Sequence, residues 1–170
     1  MHDDDIRKTA DLLRQFEPGF LPYPVFEQVA RLVAMPVVEF IPLRNTEGRV
    51  EVLLIDRGPS DPFWPNMLHT PGTVVRATDF GSSSGGSWPA FQRIMHDELK
   101  DVALGSPLYV GSLLHKSKRG VEQAQLYAVE VIGQPLVGKF YPVDALPTSL
   151  IDSQKVFIAE AARYFQNHTK

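Results

Sequence analysis

The apolar positions of this chain change period several times, and each change predicts an element. In DDDIRKTADLLRQF, Ile6, Leu12, Leu13 and Phe16 recur at helical spacing, with three aspartates at the start, where the helix dipole favours negative charge. PGFLPYP ends that helix, because three prolines in seven residues cannot continue it. VFEQVARLVAM resumes helical spacing with Val25, Phe26, Val29, Leu32 and Val33. From Val37 the pattern turns strand-like: VVEFIPLR and RVEVLLIDR flank the turn-forming NTEG and predict a β-hairpin. The segment GPSDPFWPNMLHTPGTVVRATDFGSSSGGS reads as a proline-bearing loop whose Gly/Ser run is low in complexity and expected to be mobile. WPAFQRIMHDELKDVAL predicts a helix over 88–104 that Gly105 ends. PLYVGSLLH and VEQAQLYAVEVIG predict a second hairpin around KSKRG, and PLVGKFYPVDALPTS reads as a connection. LIDSQKVFIAEAARYFQ predicts a closing amphipathic helix with Leu150, Val156, Phe157, Ala161 and Phe165 inward.

This order, two helices, hairpin, loop, helix, hairpin, helix, predicts an α/β protein: a mixed sheet with helices packed on its faces. Residues 1–35 form a helical extension and 36–170 the main domain. Packing of the extension onto its own domain is the simpler way to cover its apolar stripes. A dimerisation arm, and hence a homodimer, is the alternative.

Composition narrows the function classes. With 170 residues, 44% of them hydrophobic, the chain supports one well-buried core. Seventeen Lys+Arg against twenty Asp+Glu give a formal charge of -3, which excludes general capture of nucleic-acid backbone and leaves only local phosphate recognition. The absence of cysteine excludes disulfides, thiol nucleophiles and cysteine zinc sites, and points to a reducing, cytoplasmic compartment. MHDDDIRK lacks the apolar run of a signal peptide or membrane span.

One residue breaks the pattern. At 100° per residue, Phe91, Ile94, Met95, Leu99 and Val102 share a stripe, and Glu98 points between Ile94 and Val102. Asp97 and Asp101 run along the border. Burying a glutamate costs several kcal/mol unless something replaces its water. The candidates are an arginine such as Arg76 or Arg93, hydrogen-bonded backbone, a raised pKa that leaves the acid neutral, or a divalent metal. Asp97, Glu98 and Asp101 offer oxygens, the hard ligands of Mg²⁺ or Mn²⁺. An ordinary ion pair for Glu98, with a solvated acidic border beside it, is the simpler reading. His96 projects away from the stripe.

These residues resemble the Nudix hydrolases, whose signature is Gly-x5-Glu-x7-Arg-Glu-U-x-Glu-Glu-x-Gly-U, with U a bulky aliphatic. RVEVLLIDR followed by FWPNMLHTPGT is similar to the family's strand, tryptophan-containing loop and lead-in to the box; RIMHDE is similar to Arg-Glu-U-x-Glu-Glu; and FYPVDALP with a closing helix resembles the end of the domain. The resemblance covers about Pro36 to Gln166. It implies a Nudix-like α/β/α sandwich, with the N-terminal helices outside it. Carried across by residue, Pro71 and Gly72 match the lead-in, Asp79 stands in for the first box glutamate, Arg93 matches the arginine, Asp97 replaces a glutamate and Glu98 is retained. The pattern departs at Thr73, at Ile94 in place of a carboxylate, at Lys100 in place of glycine, and in residues 80–92, which are six longer than the family's seven.

The resemblance implies attack of water on a nucleoside diphosphate linked to another group, assisted by Mg²⁺ or Mn²⁺. Glu98, Asp97 and Arg93 are then the catalytic candidates, with Asp97, Glu98, Asp79 and Asp101 as metal ligands. Gly72, Trp64 and Glu122 are the candidates for contact with a nucleotide-like substrate. Two of them have a plainer alternative: Trp64 with Phe63 anchors the loop, and Glu122 is an exposed strand-end charge; Lys116, Lys118 and Arg119 either attract a substrate phosphate or form a solvated hairpin tip. His69 and His115 are ligands or bases on one reading and satisfied core or edge residues on the other. Two functions follow: a metal-dependent pyrophosphohydrolase with a weakened metal site, or a non-catalytic Nudix-like module that binds a nucleotide-like ligand or a protein partner.

Overall fold

A computed structural model describes residues 2–79 and 89–168. The Gly/Ser run, expected to be mobile, lies outside the described residues. Two helices come first, α1 (Asp3–Leu13) and α2 (Tyr23–Leu32), and then β1 (Met35–Thr46) and β2 (Arg49–Asp56) form the first hairpin. Glu47 and Gly48, both at positive φ, make its turn. Two short strands follow, β3 (Leu68–His69) and β4 (Gly72–Val74), then a 3-10 turn over Ala77–Asp79. Beyond the undescribed stretch come α3 (Pro89–Arg93), a π turn over Ile94–Glu98, and the second hairpin, β5 (Leu108–Lys116) with β6 (Val121–Glu130). β7 (Lys139–Pro142) and α4 (Asp152–His168) complete the chain.

The strands form one mixed sheet in the order β3-β2-β1-β6-β5. β1 organises it. Its whole first part lies parallel to β6, from Met35 opposite Glu122 to Leu43 opposite Glu130. Along the other edge, Val37 to Glu39 pair with β4, and Leu43 to Thr46 pair with β2. β1 therefore holds β4 and β6 on either side of Glu39.

Strand alternation divides the core into two layers. Val37, Ile41, Leu43, Val52, Leu54, Ala124 and Leu126 face α4, whose Phe157, Ile158, Ala161, Ala162 and Phe165 cover them. Val38, Phe40, Leu53 and Val129 face the opposite way, under Ala90, Ile94, Leu99 and Val102. Helix, sheet, helix is thus the layering: the order of elements predicted a mixed sheet with helices on its faces, and the resemblance implied this α/β/α sandwich.

Four expectations need correction. The helix predicted over 88–104 stops at Glu98, because Lys100 (φ 52°) and Asp101 (φ 57°) take left-handed conformations that no helix continues. β3, β4 and β7 fall in stretches read as loop or connection. Val156 is exposed, and Ile158 and Ala162 take the inward side of α4, at the i+4 spacing from Gln154 and Ile158 that a helix stripe requires. The extension is only partly packed: α1 buries no residue and leaves Ile6, Leu12 and Leu13 exposed, whereas α2 seats Ala30 against Gly120 of the β5–β6 turn.

Candidate functional site

Glu98 ends the π turn, and that turn sets its direction. The Leu99 amide donates to the Ile94 carbonyl at 3.0 Å, a bond across five residues that brings Ile94 and Leu99 to the same side. Both are fully buried. Glu98 is directed towards β4, where its Oε2 accepts a hydrogen bond from the Gly72 amide at 3.3 Å. Burial raises its pKa to about 7; the Gly72 amide, Arg57 and Arg119 oppose that rise, and Asp97 adds to it. Of the partners considered for it, backbone and a raised pKa are realised, and neither Arg76 nor Arg93 pairs with it.

A second carboxylate meets the same glycine. Glu39, opposite Gly72 in the β1–β4 ladder, is only 6% exposed and accepts a hydrogen bond from the Thr70 hydroxyl at 3.2 Å. A Cβ on residue 72 would stand 2.5 Å from Glu39 Oε2, so a glycine there leaves room for the carboxylate. Thr70 is fixed in turn by α4, since its amide donates to Gln154 Oε1 at 2.8 Å. Burial drives the Glu39 pKa up to about 8, against Arg119 and the Thr70 hydroxyl and with Glu98 and Glu122 reinforcing it.

The nearby guanidinium groups are engaged elsewhere. Arg57 Nε lies 2.7 Å from Asp61, and Arg119 Nε lies 2.7 Å from Glu122. Glu122 is buried and also takes a hydrogen bond from the Ser117 hydroxyl at 2.8 Å, with His115 Nε2 at 3.4 Å. Burial would raise its pKa, but the bonds from His115, Arg119 and Ser117 prevail and hold it at about 2. The reading of Glu122 as an exposed strand-end charge is thereby corrected. The turn KSKRG is likewise more than a solvated tip, because Arg119 reaches inward and Lys118 Nζ donates to the Phe63 carbonyl at 2.9 Å.

Two spaces adjoin these groups. Glu39, Thr70, Gly72, Trp64, His115 and Glu122 help to enclose a chamber of about 20 Å³, the size of one water molecule. Glu98, Asp97, Lys100, Arg57, Asp61 and His69 line an open cleft of about 520 Å³, which lies in the range of small-molecule sites. Arg57 and His69 line both spaces. Burial and then Arg57 depress the His69 pKa to about 3, so its imidazole is neutral, with Nδ1 3.4 Å from Arg57 Nη1.

Trp64 is buried, and the guanidinium groups of Arg57 and Arg119 lie over its ring at 5.3 and 5.2 Å. Phe63 lies tilted beside it with ring centroids 5.5 Å apart, and its ring meets Tyr23 of α2 at 5.6 Å. Trp64 thus anchors the loop while lining the chamber.

The remaining candidates separate. Arg93 makes a bidentate pair with Asp79, whose carboxylate also accepts the Arg76 amide at 2.7 Å, and donates to the Val74 carbonyl at 3.1 Å. Burial works against the Asp79 charge, but Arg93 and the Arg76 amide hold its pKa below the ordinary value. Asp97 is exposed on the cleft. Asp101 is exposed with its carboxylate 3.1 Å from His96 Nδ1, and His96 is exposed as expected. The four-carboxylate ligand set is therefore not assembled: among the described residues, no three His, Asp or Glu side chains are grouped to hold a metal ion.

No protein-family model matches the sequence, and no curated protein matches it. Solved structures do match. The NUDIX domain of Shewanella oneidensis NrtR, determined in complex with ADP ribose, is similar at TM-score 0.57 and 13% identity, over 97% of this chain and 99% of that one. The fold is the Nudix fold. A mutT/nudix family protein from Listeria innocua gives TM-score 0.54 at 15% identity, covering 79% of this chain and 96% of that one. The Ap4A hydrolase of C. elegans gives 0.53 at 13%, covering 78% and 99%. One Nudix neighbour is thus named as a hydrolase and another is seen holding a ligand, so the fold alone does not choose between catalysis and binding.

Within this Nudix fold, Glu39 and Arg57 are the site residues that motif matching missed. Glu39 carried a signal nonetheless: in VVEFI it is the one charged residue on the strand face that Val37 and Ile41 bury. The same test that singled out Glu98 on a helix, applied at period 2, finds it. No helix among the described residues is long and apolar enough to cross a membrane.

Proposed function

We propose that the protein takes a nucleoside diphosphate linked to a second group into the open cleft and hydrolyses the diphosphate with the help of Mg²⁺ or Mn²⁺. One observation carries this reading. Glu98 is a half-buried carboxylate at the wall of a ligand-sized cleft, bonded to the Gly72 amide and ion-paired with no cation among the described residues. Such a group is costly to keep unless a positive charge arrives to use it.

The donor set fits a particular kind of ion. Mg²⁺ often binds through one or two carboxylates completed by water and substrate phosphates, so it does not need an all-protein cage. Glu98 and Asp97, both oxygen donors on the cleft, would hold an ion that enters with the diphosphate. When bound, that ion neutralises the phosphates and makes a coordinated water more acidic. The chain's own groups do the rest. The Gly72 amide fixes the Glu98 oxygen, Arg57 and Lys100 bring positive charge to the cleft, and the Asp79–Arg93 pair ties the segment before residues 80–88 to α3. The resemblance and the lack of cysteine are consistent with action in the cytoplasm.

Ile94 favours a second reading. It is fully buried at the position where the family signature has a carboxylate, which suits a module that binds a nucleotide-like ligand or a protein partner without cleaving anything. The two readings separate in one experiment. The protein is incubated with a panel of nucleotides and nucleotide sugars plus Mg²⁺ or Mn²⁺, and wild type is compared with Glu98→Gln. Metal-dependent release of a nucleoside monophosphate that Glu98→Gln abolishes supports the hydrolase. Ligand binding without turnover, insensitive to metal, supports the module.

A further inference from the structure

We infer that Glu39 on β1 is a further carboxylate of the cation seat, joining Glu98 and supplying from the sheet the oxygen ligand that Ile94 does not supply from the helix. The inference rests on the metal-dependent reading above and names the residue set of that site.

Geometry carries it. Glu39 and Glu98 come from different layers, one on a strand and one at the end of the π turn, and both reach Gly72: Glu98 bonds its amide, and Glu39 occupies the space a side chain there would fill. Val37 and Ile41, its neighbours on the same face of β1, pack into the apolar core, so the default occupant of position 39 is an aliphatic residue. A glutamate kept there with one hydroxyl donor is expensive unless it has a further partner. No side-chain cation is paired with it among the described residues, because Arg119 is engaged by Glu122.

The surroundings suit a small, hydrated occupant. The chamber beside Glu39 has room for about one water, and one of its lining residues, His115, has a buried Nδ1 with no hydrogen-bond partner. Arg57 and His69, shared between chamber and cleft, put the two spaces next to each other. Glu39 lines the chamber and Glu98 the cleft, so an ion held by both would sit where the two spaces adjoin, beside the cleft in which a diphosphate would lie. Glu39 and Glu98 with phosphate and water oxygens make a sufficient donor set for Mg²⁺ or Mn²⁺ even where Asp97 stays in solvent.

The test uses the full chain and reads metal binding directly. Mn²⁺ is titrated at pH 8 and followed by electron paramagnetic resonance, alone and with ADP-ribose as a diphosphate probe, for wild type, Glu39→Gln, Glu98→Gln and Gly72→Ala. Glu39→Gln is isosteric, keeps an oxygen for the Thr70 hydroxyl and removes a buried charge, so it should fold; circular dichroism verifies this. Gly72→Ala displaces the Glu39 carboxylate without altering its charge. We expect both to weaken Mn²⁺ at least tenfold, as Glu98→Gln does. If wild type binds Mn²⁺ and Glu98→Gln loses it while folded Glu39→Gln and Gly72→Ala bind as wild type, the role of Glu39 is overturned and the metal-dependent reading stands. If wild type binds no Mn²⁺ with or without ADP-ribose, both fall together.

Discussion

Replacing Glu39 with glutamine should make the protein more stable, and increasingly so as pH rises. The reason is the buried carboxyl itself. Its pKa is about 8 in the folded protein against an ordinary value of 4.5. A group whose pKa is raised by folding contributes its stability fully below pH 4.5, and that contribution is lost as pH climbs towards 8 because the unfolded chain ionises first. At about 1.4 kcal/mol per pH unit across that window, wild type should lose about 3 kcal/mol relative to Glu39→Gln between pH 5.5 and pH 8.5. Part of this loss is shared with Glu98, whose charge helps to raise Glu39. The assay is urea unfolding in metal-free buffer at half-unit pH steps, with both proteins fitted to the same slope. The two curves should lie close together at pH 5.5 and diverge steadily above it. Parallel pH profiles, differing in slope by less than about 1 kcal/mol over the range, would refute the burial of an ionisable Glu39.

Other perturbations test separate parts of the structure. Arg93→Met leaves the Asp79 carboxylate, whose side chain is 2% exposed, without its bidentate partner and should cost about 3 to 5 kcal/mol in urea unfolding. The double variant with Asp79→Asn should recover much of that loss, and simple additivity would contradict the pairing. Gly120→Ala would drive a Cβ into the Ala30 carbonyl from a backbone at φ 141°, so it should cost more than about 1 kcal/mol and raise amide exchange in α2. Trp64→Ala removes a buried ring that two guanidinium groups cover, and a loss of about 3 to 5 kcal/mol is expected by thermal unfolding. A nearly neutral result would mean that the ring serves ligands more than the loop.

Where the chain could be read in advance, regular periodicity was the reason. Both hairpins are long alternating runs around turns rich in Gly, Asn and basic residues, and the closing helix keeps a stripe for four turns, so pattern and outcome agree within three residues. β3, β4 and β7 span only two to four residues, too few for any period to show, and they pair because β1 and β2 pass beside them. The early end of the box helix was illegible for another reason. Lys100 and Asp101 adopt left-handed backbone without glycine, which residue type does not announce. Val156 shows the limit of counting apolar residues, since its direction around α4 overrides its hydropathy.

The site was legible in the same uneven way. Glu98 stood out because a carboxylate interrupts an apolar stripe, and the fold turns it inward towards a cleft. Asp79 and Arg93, assigned from motif spacing to separate roles, are each other's partners, a pairing across residues 80–88 that no spacing rule specifies. Asp101 was grouped with Glu98 on an ideal helix. The π turn and the left-handed residues after it place Asp101 beside His96 at the surface instead. Glu39 required only the period-2 version of the reasoning applied to Glu98.

On the proposed function, the carboxylate that Glu98 turns inward from the π turn grips a divalent cation beside bound phosphate. Anomalous diffraction from crystals grown with Mn²⁺ and ADP-ribose tests it most directly. A manganese peak coordinated by Glu98 is expected, with diphosphate oxygens completing its shell and the Gly72 bond shared or released. A well-ordered diphosphate in the cleft with no manganese at Glu98, its carboxylate still bonded only to the Gly72 amide, would contradict it.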